Sequence, residues 1–267
     1  MQRLRPGVIA FAAGMIGFGI LALTYGDFAM VWQPVPAELP WRTALAYASG
    51  VLMLACGGGL LFRATAAWAA RILFPYLIAW TLLKTPALFV APLLEAVWLG
   101  LGGLMMLLAG GVVLFATLGE IGEDSALGFL SGERGVRLAA IVFGLGAIPV
   151  GLSHFFYTQA TIDLIPAWMP FKTGWAWLTG AGHLAAGLAL LFNVVPRLAA
   201  AVETAMVAVF ALLVWVPPAL MKHDRLSWTA LVVTWAIMAA TWVLAERIPQ
   251  RRGAEIAEPQ EKLRAMV

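Results

Sequence analysis

The chain has 267 residues, 62% of them hydrophobic and 12% charged, against roughly 25% charged in an average soluble domain. That composition excludes a water-soluble globule, which could not hide so much apolar surface. The net charge of +3 is mild and scattered, and gives no reason to expect nucleic-acid binding.

A hydrocarbon core is crossed by about 20 apolar helical residues. Apolar runs of that order predict spans over 7–25, 43–62, 68–90, 96–118, 136–157, 173–193, 198–216 and 227–246. The runs are continuous, rich in Leu, Ala and Gly, and lack the alternation of membrane strands, so an all-α transmembrane fold is expected. The first run is longer than a signal-peptide core and has no clear small-x-small cleavage site, so it is expected to be retained. Gly14, Gly17, Gly50, Gly57, Gly102 and Gly103 lie inside spans, where small residues let helices approach closely in lipid.

Basic residues near span ends stay on the cytoplasmic side. One side collects Arg3, Arg5, Arg63, Arg71, Arg134, Arg137, Arg197, Arg247, Arg251, Arg252, Lys262 and Arg264, and the other only Arg42, Lys84, Lys172, Lys222 and Arg225. Both termini are therefore expected in the cytoplasm.

The halves resemble each other. Residues 35–62, VPAELPWRTALAYASGVLMLACGGGLLF, align without a gap on 165–192, IPAWMPFKTGWAWLTGAGHLAAGLALLF, at a displacement of 130. Pro36 then pairs with Pro166, Gly50 with Gly180 and Gly57 with Gly187, and the match runs on to Trp98 and Trp228. Upstream, a displacement of 127 pairs Gly17 with Gly144, Asp27 with His154 and Phe28 with Phe155. The expectation is eight helices as two parallel tandem four-helix-bundle repeats, 1–118 and 136–246, joined by a cytoplasmic linker at 119–135 and followed by a charged tail at 247–267.

Cys56 is the single cysteine, so no dithiol can cycle within the chain. Three histidines exist, too few for two bis-histidine haems. One haem on His154 and His183, or on His183 and Met53, is the minor reading, and no metal site is expected.

Ionisable residues at membrane depth are functional candidates by default. Lys84 is near enough to the outer end of its span to snorkel or to pair with Asp27; its repeat counterpart is Val214. His183 and Glu203 fall at similar depths in neighbouring spans, and a contact between them would form a proton relay or a polar link between helices. The segment FFYTQATIDLIPAWMPFKTGWAW is too apolar for an aqueous loop and should lie on the membrane interface. Its prolines would fold it over the bundle as the roof of an outer pocket. Candidates for that pocket are His154, Phe155, Tyr157, Asp163 and Trp168, with Asp27 and Lys84, and a quinone would suit it. A plain aromatic belt is the competing reading.

His-Phe at 154 and 155, Pro-x-Trp-x-Pro at 166–170, and the Gly-rich sixth span ending in Pro196 and Arg197 resemble the DoxX-like four-span membrane proteins, here as a tandem duplication. The resemblance covers nearly the whole chain except the tail. It implies a bacterial cytoplasmic-membrane protein and a redox or sulfur-metabolism setting, with a soluble or membrane oxidoreductase as partner. One departure stands out: many members carry Glu where this chain has His183, with Met53 at the matching place in the first half. A non-catalytic scaffold or chaperone and a small-solute or lipid transporter are the alternatives.

Overall fold

The computed structural model describes residues 5–30, 32–122 and 124–249. Within these residues the regular elements are all helical, and eight stretches are long and apolar enough to cross a membrane. The chain is a multi-pass membrane protein. Helices α1 (Pro6–Tyr25) and α2 (Arg42–Leu60) form the first two spans. The third runs through α3 (Arg63–Lys84) and the short α4 (Pro86–Val90), and α5 (Glu95–Leu118) is the fourth. The second half comprises α6 (Gly132–Phe156), the short α7 (Thr158–Leu164), α8 (Lys172–Phe192), α9 (Pro196–Phe210), a π-helical turn (Ala211–Trp215), α10 (Val216–Lys222) and α11 (Arg225–Arg247). The tail expected at 247–267 lies almost wholly outside the described residues.

Local chemistry sets the boundaries. Gly26 ends α1 in the left-handed conformation at φ 61°, which costs a glycine little. Asp224 caps α11 by accepting from the Ser227 backbone N–H. Helix α6 starts at Gly132, four residues before the expected 136, which shortens the connection that follows α5. The seventh span reaches Lys222, well beyond the expected 216. Pro217 and Pro218 lack backbone N–H groups, and a proline ring crowds the carbonyl four residues earlier. The span absorbs both by widening into the π turn just before them.

Each span packs on the next, from α1 on α2 through α9 on α11, and α11 returns to α1, closing a ring. Helices α5 and α11 also meet each other. Phe11, Met15, Phe18, Met53 and Phe143 are fully buried inside.

The α1–α2 and α6–α8 pairs close through matching contacts. A β-carbon on Gly50 would meet Ala22, Leu23 and the Gly19 carbonyl, and one on Gly180 would meet His154, Phe155 and the Gly151 carbonyl. Likewise Gly57 faces the Ala12 carbonyl and Ile16, while Gly187 faces the Gly144 carbonyl and Ile148. The second helix of each pair keeps the displacement of 130, but α1 and α6 correspond at 132. This corrects the displacement of 127 expected for the first and fifth spans. Helix contact, rather than the likeness of Asp27-Phe28 to His154-Phe155, fixes the register, and Ala22 is the packing counterpart of His154.

At the end of the bundle opposite the termini, Asp27 joins first and last spans. Its carboxylate pairs with Arg42 at 2.7 Å and Arg225 at 3.0 Å, and Arg225 also donates to the Phe28 carbonyl. Burial alone would raise the Asp27 pKa, but the Phe28 N–H and the two arginines hold it below the ordinary 3.8. A lowered carboxylate pKa adds stability that is complete above the unfolded value and disappears as pH falls through the folded one. Asp27→Asn is therefore expected to cost about 1 kcal/mol at pH 7 and nothing once Asp27 is itself protonated, well below pH 3.8. Melting of the two proteins in detergent across that range checks it, and an equal difference at both ends would sink the assignment.

Candidate functional site

The two intramembrane polar residues are in contact. His183, from the middle of α8, and Glu203, from α9, meet at 2.6 Å between Nδ1 and Oε1. Glu203 is fully buried and His183 is 5% exposed. Unpaired polar groups are costly at this depth, and each of the two supplies the other with a hydrogen-bond partner. Glu203 Oε2 is buried without a hydrogen-bond partner among the described atoms.

Toward the far end the histidine contacts continue. The His154 ring lies 5.4 Å from that of His183, tilted by 42°, and 6.0 Å from Phe210. His154 Nδ1 is 3.2 Å from Thr179 Oγ1. The Thr179 hydroxyl also lies within hydrogen-bond distance of the Trp175 and Ala176 carbonyls, so it ties the His154 ring to the backbone of α8. Two imidazoles at this separation and tilt leave no slot for a flat macrocycle between them, and Met53 sits on α2, packed with α1 and α3. The residues do not fit the haem readings.

Thr179 also lines an apolar cavity of about 490 Å³ between α8 and α9. The segment holding Ile165, Pro166 and Met169 roofs it, and Leu178, Met206 and Phe210 line its walls. Leu178, Val202 and Val209 are exposed on the bundle exterior, so the cavity opens sideways, toward lipid. Lys172 latches the roof by donating from Nζ to the Ile165 carbonyl at 3.0 Å. The π turn supplies Leu213 and Val214 at the far end; such turns recur at functional sites.

The outer constellation expected from sequence does not assemble. Phe155 and Trp168 are exposed, and Asp163 accepts from Gln159 on the exposed face of α7. The Tyr157 hydroxyl accepts from the Ala96 N–H at the start of α5. Asp27 belongs to the arginine tie in the other half, and Lys84 does not pair with it because Arg42 and Arg225 occupy both carboxylate oxygens. Lys84 instead stretches over Gly100 of α5, where a β-carbon would come within 2.9 Å of its Cε. Of the expected set only His154 stands at the cavity, behind Thr179 and Phe210. The roof was legible from Pro166 and Pro170; Thr179, Met206 and Phe210 carry no signal in the sequence, since Thr, Met and Phe are ordinary in spans.

Among the described residues no group of three His, Cys, Asp or Glu side chains is placed to hold a metal. No protein-family model, no curated protein and no solved structure matches the chain.

Proposed function

We propose that the protein is a DoxX-like membrane subunit or anchor of a redox or sulfur-metabolism system in the bacterial cytoplasmic membrane, a fused pair of four-helix units with both termini in the cytoplasm. In this reading it binds a quinone between α8 and α9. The observation that carries it is an apolar cavity open toward lipid and backed, through Thr179 and His154, by the buried His183–Glu203 pair. An amphipathic ring slides in from the bilayer, its tail left in lipid, while the roof excludes water. Reduction of a quinone takes up protons together with electrons. The His183–Glu203 pair holds and returns a proton at membrane depth, and a partner oxidoreductase supplies the electrons.

Mass spectrometry of lipophilic molecules that copurify in mild detergent tests the proposal. A quinone is expected with the wild-type protein and less than about a tenth as much with Leu178→Trp, whose indole closes the mouth by overfilling it. Absence of quinone from wild-type protein, or equal amounts in both, would overturn it.

A second reading, a small-solute transporter, draws on the interruptions in spans three and seven. The α3–α4 junction at Thr85 and the end of the π turn at Trp215 are 130 residues apart, and matched helix breaks mark transport sites in repeat-built transporters. In this reading the solute moves together with a proton carried by the His183–Glu203 pair, so adding solute drives proton flux into vesicles that hold the protein and a trapped pH dye. Vesicles that stay tight would remove it.

A further inference from the structure

The cavity between α8 and α9 has a twin between α2 and α3, of about 480 Å³. Val35, Pro36, Ser49, Tyr76 and Trp80 line the twin, and adding 130 gives Ile165, Pro166, Thr179, Met206 and Phe210, which line the first. The roofs are latched alike, Arg42 donating to the Val35 and Pro36 carbonyls where Lys172 donates to Ile165. The chemistry behind them differs. Met53 and Leu73, both fully buried, occupy the positions that correspond to His183 and Glu203, so the twin has no imidazole or carboxylate with which to exchange a proton.

It has a neutral hydrogen-bonding triad instead. Gln33, 5% exposed, donates from Nε2 to Ser49 Oγ at 3.1 Å and to the Tyr76 hydroxyl at 3.0 Å, and its Oε1 accepts from the Ala29 N–H. Ser49 and Tyr76 lie 2.6 Å apart. Each hydroxyl carries one hydrogen. One of the two serves the Ser49–Tyr76 contact, and the other has no acceptor among the described atoms. Both residues line the cavity, so the spare donor stands at its wall, where the surrounding Leu, Pro and Trp side chains offer no lone pair.

We propose that the α2–α3 cavity is a second ligand site, for an uncharged, lipid-soluble molecule that presents a carbonyl or ether oxygen to the Ser49–Tyr76 hydroxyl pair. The molecule enters from the bilayer beside Leu45, Ala48 and Leu83, which are exposed. It binds without proton exchange, so the halves divide the work: one site holds its ligand neutral, and the other couples binding to a proton.

Benzophenone, a lipid-soluble ketone that attaches to neighbouring C–H bonds under ultraviolet light, is the probe. The full-length protein in mild detergent is labelled over a concentration series and the attachment sites are mapped by peptide mass spectrometry. Saturable labelling within 34–39 or 76–83 is expected, with half-saturation raised about fivefold in Ser49→Ala/Tyr76→Phe, the worth of one net hydrogen bond. Ala48→Trp, a change at the exposed mouth, should abolish the saturable part even if the double variant folds poorly. His183→Met/Glu203→Leu should leave this labelling unchanged, which separates the site from the quinone reading of the other half. Labelling that rises linearly without saturation, that ignores Ala48→Trp, or that falls with the His183→Met/Glu203→Leu variant overturns the proposal.

Discussion

Replacing His183 by leucine is expected to destabilise the protein by about 3–5 kcal/mol, because it leaves Glu203 buried without its only hydrogen-bond partner among the described residues. Replacing both residues should not. Exchanging a buried polar pair for packed apolar side chains of similar volume is often neutral or stabilising by about 1–4 kcal/mol. The chain supplies a suitable pair of its own, since Met53 and Leu73 fill the corresponding positions in the first half with no exposed surface. His183→Met/Glu203→Leu should therefore melt at or above the wild-type temperature in detergent while His183→Leu melts well below it. If the proposed quinone function is assayed, the double variant separates two roles. A proton relay loses turnover in a stable protein, whereas a polar link between helices, or a scaffold that binds a partner's membrane helix, keeps its function. A double variant as unstable as the single one would sink the argument from the first half.

The second large effect is expected at two adjacent glycines of α2. A β-carbon on Gly57 would lie 2.8 Å from Ile16 Cγ1 and 2.9 Å from the Ala12 carbonyl oxygen, whereas one on Gly58 would meet nothing within 4 Å. Gly57→Leu must push α1 off α2, and overpacking of this kind costs typically about 1–3 kcal/mol, more where backbone has to move. Gly58→Leu should be neutral or gain up to ~1 kcal/mol of helix propensity. Lipid tails are as apolar as leucine, so close backbone approach carries much of helix association in a bilayer. The same substitution, one position apart, should thus lower the melting temperature at Gly57 and leave it unchanged or raised at Gly58. Equal effects would mean that the α1–α2 contact does not hold the helices at this distance.

Much of the architecture is legible in the sequence. The number of spans, the all-helical class and most ends follow from runs of apolar residues, because a backbone without water must satisfy its hydrogen bonds internally. The ends that moved have local causes, as with Pro217 and Pro218, whose missing donors widened a turn instead of ending the helix. The similar depth of His183 and Glu203 was readable from sequence, and their contact is what the packing of α8 on α9 adds. The outer constellation was not readable in that way. Asp27, Lys84, His154 and Asp163 all lie near span ends in sequence, yet ring packing sends them to different places, and arginine rather than lysine takes the Asp27 carboxylate.

By itself the sequence determined that the solvent is lipid, that the chain crosses it eight times, and that its two halves share a pattern at a displacement of 130. Tertiary structure decided the register of α1 against α6, the closure of the ring, and the two roofed cavities with their different polar walls. Hydropathy is a property of each segment and survives in one dimension. A cavity exists only where several helices fail to touch, and no single segment encodes that.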